Sequence, residues 1–250
     1  QQHCSVRRQR QMCIRDSKAA VAGGMILLVL IFLAIFAPWI APHSYSYQNL
    51  ELGAQPPSSE FLLGTDTLGR DLFSRILYGA RVSLLVGFVA TSVALVIGVS
   101  WGIVAGYFGG RIDSVMMRIV DVLYGLPFII FIILLMVIFG RNIWLLFGAI
   151  GAVEWLTMAR IVRGQVLTIK TQEYVLAAQA MGVSNIQMFR KHIYPNILGP
   201  IAVYATLTIP QVMLLEAFLS FLGLGIQPPM SSWGTFCLLY TSPSPRDWLQ

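Results

Sequence analysis

The sequence predicts an all-α protein that crosses a lipid bilayer several times, and three observations carry that prediction. Of its 250 residues, 56% are hydrophobic and only 11% are charged, with a mean hydropathy of +0.72. A soluble domain of this length needs many more charges to cover its surface. The apolar residues also fall in long blocks. No Asp, Glu, Lys or Arg lies between Lys18 and Glu51, between Arg81 and Arg111, between Asp121 and Arg141, or between Lys191 and Glu216. Roughly 20 apolar residues at about 1.5 Å per residue cross the hydrocarbon core as a helix. Finally, the blocks show no alternation of period two, so transmembrane strands are excluded as their reading.

The two ends read as foreign. Met12–Ser17, "MCIRDS", can be encoded by ATGTGTATAAGAGACAG plus one base, and the reverse complement of that stretch in another frame gives Cys-Leu-Leu-Tyr-Thr, the sequence of residues 237–241. The pair resembles the translation of a transposon-end sequencing adapter. Residues 1–17 and 237–250 are therefore set aside, and 18–236 is the expected transmembrane domain. Cys4, Cys13 and Cys237 all lie outside it, so neither disulfides nor thiolate metal sites enter the reading.

Within 18–236 the elements follow in order. A first span covers about 19–40, closed by Pro38 and Pro42. A polar connection, 43–81, leads to a second span at about 82–107. Gly109, Gly110 and Asp113 make a turn. The third span covers about 119–139, and "GRN" at 140–142 turns the chain. The fourth, about 143–159, is short and carries Glu154. A polar segment, 160–196, precedes the fifth span at about 197–222. Placing 109–118 and 160–195 on one side collects Arg111, Arg118, Arg160, Arg163, Lys170, Arg190 and Lys191, against Arg70, Arg75, Arg81 and Arg141 opposite. The positive-inside rule makes the first side cytoplasmic. The net charge of +6 is thus read as orienting loops, with no nucleic-acid partner.

In the polar segment, Thr171 is placed to cap a helix with Glu173 in its first turn, and Gly182 suits the left-handed residue that ends it. Ser184 and Gln187 form a capping box for a second helix, with Ile186, Phe189 and Ile193 on one face, stopped at Tyr194-Pro195. The first helix offers Ala177, Ala178 and Ala180, small side chains that let another backbone approach. Docking of a partner and an interfacial helix resting on lipid both stand open on these residues.

Several blocks together then match a known family. Ala177-Ala178, Gly182 and Pro195 resemble the "EAA" loop of ABC importer permeases. "GTDTLGRDLFSRILYGARVSL" (64–84), "ARIVRGQVL" (159–167) and "EAFLSFLGLGIQPP" (216–229) are similar to its dipeptide/oligopeptide/nickel branch. The resemblance implies the type I importer permease fold, with a sixth span truncated here. It also implies a second permease subunit forming a heterodimer, two cytoplasmic ATPase subunits, and an extracytoplasmic binding protein for a peptide or related small solute. Residues 171–195 would couple to the ATPases, with Glu173, Ala177, Ala178, Gly182, Arg190 and Pro195 as the loop residues. Leu176 stands where the family's glutamate is expected, and His192 and Tyr194 replace its usual Ile and Leu. No cofactor is expected, since the chain carries no G-x-x-x-x-G-K-[ST] and ATP belongs to the partners.

Two carboxylates are candidate pathway or gating residues. Glu154 lies inside a span, where a carboxylate is a functional hypothesis, although Arg160 is near enough for it to snorkel to the interface. Glu216, near the outer end of span five, either lines the pathway or makes a structural hydrogen bond. Asp121 is expected to pair with Arg118 at i,i+3, and Asp66, Arg70, Asp71 and Arg75 to form an external acid–base cap. Prolines 127, 200 and 210 predict bends. An ion-coupled secondary transporter would want inverted repeats, and an intramembrane protease a catalytic constellation; neither pattern is found.

Overall fold

The computed structural model describes residues 18–140, 142–226 and 229–236, and among them the chain is helical, without a strand. The expected foreign ends, 1–17 and 237–250, lie outside these residues. Helix α1, Lys18–Ile40, holds Pro38 in its last turn and ends two residues later than that proline. Helix α2, Leu72–Phe108, begins ten residues before the expected 82. Its start was hidden in polar sequence: the Asp71 carboxylate accepts from the backbone N–H groups of Phe73 (3.3 Å) and Ser74 (3.1 Å), which is N-capping.

Gly109 and Gly110, with φ of +67° and +56°, reverse the chain into α3, Gly110–Tyr124. The expected turn at 109–118 is thus mostly helix. The expected third span is two helices, α3 and α4 (Phe128–Phe139), bent by 77°. Pro127 lacks an N–H and holds Leu126 out of the helical region, so the apolar run continues while the helix does not.

Helix α5, Ile143–Lys170, is capped by Asn142, which accepts from Trp144 N at 2.9 Å. It outruns the expected end at 159 because its arginines are paired sideways. Arg160 meets Asp121 of α3 at 2.8 Å, and Arg163 meets Asp113 through two bonds of 2.5 and 2.6 Å. The predicted Arg118–Asp121 pair is therefore replaced by pairs between helices. Thr171 closes α5, donating to Thr168 O, so the N-cap position of α6, Glu173–Ala180, falls to Gln172.

Gly182 has φ +76°, and Val183 N donates to Ala178 O at 3.2 Å, the left-handed helix end that was predicted. Ser184 occupies the N-cap of α7, Asn185–Met188, but makes no side-chain cap bond; the predicted capping box does not form. Nor does the chain stop at Pro195. A π-helical turn, Phe189–Ile193, leads directly into α8, Tyr194–Phe221. Pro195 has no N–H to give to the preceding turn, and Asn196 Nδ2 donates to the His192 carbonyl at 2.6 Å. Helices α1, α2 and α5 and the run Asn185–Ser220 are each long and apolar enough to cross a membrane, and the bent pair α3–α4 makes a fifth candidate.

Contacts group the described residues into two units, one drawn from 18–84 and 229–233, the other from 85–226 and 234–236. In the first, the segment after α1 folds onto the start of α2. His43 N donates to Ser74 Oγ, Gln55 N to Thr65 Oγ1, and Trp233 N to Ser83 Oγ. In the second, Gly98, Gly102 and Gly106, spaced four apart on α2, lie against α5. A Cβ on Gly98 would sit 2.7 Å from Met158 Cβ, and on Gly102 2.8 Å from Val162 Cβ. Small residues at this spacing let two membrane helices close on each other.

Candidate functional site

The hairpin α6–α7 grows out of the second unit's core. Val175, Ala178, Met188 and Ile193 are buried with Val162, Val166 and Ile169 of α5 and with Ile197 and Ile201 of α8. Polar bonds fix the same junction. Lys170 Nζ donates to the Tyr107 carbonyl at the end of α2 (2.8 Å), Tyr107 Oη donates to Asn185 O (3.0 Å), and Asn196 Nδ2 reaches Tyr174 Oη (3.1 Å).

Of the predicted loop residues, Glu173, Ala177, Gly182, Arg190 and Pro195 are exposed, while Ala178 is buried. Ala178 therefore serves its own core, and the surface offered outward is Ala177, Ala180 and several large apolar side chains. Met181 is 77% exposed, Ile186 72% and Leu176 51%. Ile186 was expected to share a face with Phe189 and Ile193; it points away, and Met188 takes the inner place. Position 176, where a glutamate was expected, thus carries an exposed apolar side chain. The helical pattern could not separate these two faces because α6 is a mere eight residues long.

A cavity of about 730 Å³ lies beside α5 in the same unit. Its walls come from the α3–α4 break (Tyr124, Phe128, Phe131), from α5 (Glu154, Thr157) and from α8 (Gln211, Leu214, Phe218). Glu154 is 9% exposed. Lying eleven residues beyond Ile143, it sits roughly 16 Å along the helix axis, about halfway across a hydrocarbon core. Its side chain lines the cavity while α5 runs on for four more turns, and the nearby Arg160 is held by Asp121 and lies over the Tyr124 ring at 4.3 Å. Glu216, 1% exposed, is not part of this wall; Ser220 Oγ donates to its Oε1 at 2.6 Å. The two carboxylates are thus not brought together. The glycine row Gly98-x3-Gly102-x3-Gly106 was legible as a packing signal and went unread.

In the first unit, Asp66 accepts from Arg70 Nε at 2.8 Å and from Arg75 Nη1 at 2.6 Å, with all three side chains buried. Burial would raise the Asp66 carboxyl, but the bonds from Arg70 and Leu68 outweigh it and hold the group below the ordinary carboxylate range. Asp71, expected in the same cluster, instead caps α2 and lies 3.6 Å from His43 Nδ1.

Helices long and apolar enough to cross a bilayer, with a bent pair among them, define a polytopic membrane protein. The family described as "Binding-protein-dependent transport system inner membrane component" matches residues 98–241, more than half of the chain. A second, "N-terminal TM domain of oligopeptide transport permease C", matches residues 14–57. The chain belongs to the binding-protein-dependent transport family, the membrane permease component of ABC importers, and is an inner-membrane protein.

Among its relatives, the dipeptide transport system permease protein DppC of Bacillus subtilis (strain 168) is 51% identical over 221 residues, 88% of this chain and 69% of the relative. The oligopeptide transport system permease protein OppC of the same strain is 47% identical over 88% of this chain and 72% of its own length. OppC of Haemophilus influenzae (strain ATCC 51907 / DSM 11121 / KW20 / Rd) is 48% identical over 87% and 71%.

Proposed function

We propose that residues 18–236 form the transmembrane domain of a permease subunit that imports di- or oligopeptides, or a closely related small solute. It does so with a second permease, two cytoplasmic ATPases and an extracytoplasmic binding protein. The chain contributes half of the pathway and no ATP chemistry; hydrolysis belongs to the ATPases. One observation carries the reading: an exposed apolar surface, Leu176, Met181 and Ile186, sits on a hairpin whose other face is locked into the core of the spanning helices. A freely exposed group of this kind marks an interaction surface. The lysines and arginines around it support a cytoplasmic position by the positive-inside rule, where a helix laid in a groove of an ATPase would bury it.

ATP-driven uptake of a dipeptide by proteoliposomes holding the full complex tests this. The variant Gly182→Asp is diagnostic. A Cβ at Gly182 meets nothing within 4 Å, and aspartate tolerates a left-handed backbone at a strain of about 1 kcal/mol, so the chain folds and inserts. Against a partner, the added carboxylate is buried, and ATPase association or coupling is lost. Unchanged ATP-driven uptake by this variant would sink the docking role of the hairpin, and uptake that persists on an ion gradient alone would overturn the importer reading.

A further inference from the structure

We propose that Glu154 and the cavity it faces form a subsite for a protonated amino group of the translocated molecule, the α-ammonium end of a peptide. The inference rests on the importer reading above and names the chemistry of one contact within it.

Glu154 is a buried carboxyl group without a partner among the described residues. Glu154 is 91% buried, since 9% of it is exposed. Its carboxylate has no hydrogen bond or ion pair within the described residues, and no Lys, Arg or His is among the residues lining the cavity. A buried carboxylate near the middle of a bilayer is expensive unless something pairs with it. Arg160 does not, being bound to Asp121. Glu216 shows the contrast: it is 1% exposed, and a serine on its own helix donates to it. No described residue supplies a pairing group for Glu154, and the cavity is the open side from which one can reach it.

The lining says what kind of group. Tyr124, Phe128, Phe131 and Phe218 surround the space with aromatic faces or edges, and Thr157 and Gln211 add neutral polar atoms. Aromatic rings beside one carboxylate suit an organic cation, attracted to both the negative charge and the ring faces. A bound divalent metal takes four or more ligands, and a single carboxylate with no histidine or cysteine beside it is a poor set. The volume of about 730 Å³ falls within the range of small-molecule sites, roughly 300–1,000 Å³, and leaves room for two residues of a peptide. One carboxylate fixes one end and leaves the side chains to apolar walls, which suits a carrier that must release what it holds.

The test uses the detergent-solubilised complex of both permeases and both ATPases, without the binding protein, and saturation-transfer NMR, which reads weak binding. The probes are dialanine and N-acetyl-dialanine, in which an acetyl group replaces the ammonium charge by a small neutral cap. Dialanine should receive saturation from the wild-type complex and the acetylated probe should not. Glu154→Gln keeps the shape and should weaken dialanine binding roughly tenfold or more, as loss of a charge-assisted bond does. Gln211→Trp, at an exposed position on the wall, leaves the carboxylate in place and should block binding by filling the space.

Equal transfer to both probes, or to dialanine in wild type and Glu154→Gln alike, overturns the proposal. So does loss of the second permease from purified Glu154→Gln, which would assign the carboxylate to a subunit contact. If wild-type proteoliposomes show no ATP-driven peptide uptake at all, the importer reading has failed instead; uptake with no discrimination between the probes removes the subsite alone.

Discussion

Replacing Asp66 by asparagine would show how the segment between α1 and α2 is held. The carboxylate is 4% exposed and accepts four bonds. Oδ1 takes the backbone N–H groups of Leu68 (2.9 Å) and Arg70 (3.0 Å), and Oδ2 takes Arg70 Nε (2.8 Å) and Arg75 Nη1 (2.6 Å). An asparagine can keep its oxygen toward the two backbone donors, worth about 1 kcal/mol each. Its amide nitrogen then faces two buried guanidinium groups, donors against donors. Removing one member of a buried ion pair costs about 3–5 kcal/mol. Local opening should become more frequent by roughly two to three orders of magnitude.

Amide hydrogen exchange of residues 64–72 in the intact complex reads this directly, because Asp66 N, Gly69 N and Leu72 N are hydrogen-bonded inside the same turn. The pH dependence has a definite sign. The folded carboxyl lies below its ordinary value, so its contribution is present above the unfolded value near 4 and is lost as pH falls through the folded one. After correction for intrinsic exchange, wild type should lose protection in acid while Asp66→Asn, already open, changes little. Exchange in the variant within about threefold of wild type at neutral pH, a difference worth well under 1 kcal/mol, would refute the claim that this pair of charges holds the turn.

Other outcomes follow from the second unit. Gly102→Leu should drive α2 off α5, since its Cβ would already lie 2.5 Å from the Ala159 carbonyl; detergent melting should fall steeply. Gly164→Leu, with nothing within 4 Å, should melt like wild type, and equal melting of the two would dismiss the glycine seam. Arg163→Met removes a two-bond pair to Asp113, which is 14% exposed, and should destabilise by about 1–2 kcal/mol. Arg160→Met breaks a pair with 38% and 61% exposure and should cost under about 1 kcal/mol in the same melting assay.

Much of this architecture could be read from the residues, and the failures share a cause. Charge-free blocks coincide with the apolar runs of α1, α2, the α3–α4 pair and α8, whereas α5 carries Glu154 within its run, and Gly182 has the left-handed backbone expected of it because few residues can adopt one. Pro127 was rightly expected to bend the chain. Errors arose where polar residues were satisfied by distant partners. Arg160 and Arg163 looked like the start of a loop, yet Asp121 and Asp113 from α3 let α5 continue to Lys170. Asp71 looked like one more surface acid and is the cap of α2. Ala178 looked like part of a contact surface, because an eight-residue helix gives too few positions to tell its two faces apart. Pro195 looked like a stop, and the π-helical turn before it is invisible to any rule built on 3.6 residues per turn. At the Glu154 cavity the residue was legible and its isolation was not, since isolation depends on what every other helix brings near.

Lys170 carries one more implication. Its ammonium sits on the last carbonyls of α2, at the point where α5 ends and α6 begins, and it neutralises the partial negative charge that gathers at a helix C-terminus. Two spanning helices therefore finish on a single knot. A displacement applied to α6 has no slack loop in which to dissipate, and α5 is too stiff along its axis to shorten. Over the ~24 Å from Lys170 back to Glu154, a tilt of five degrees at that knot moves the carboxylate by about 2 Å, the difference between a hydrogen bond made and a hydrogen bond broken.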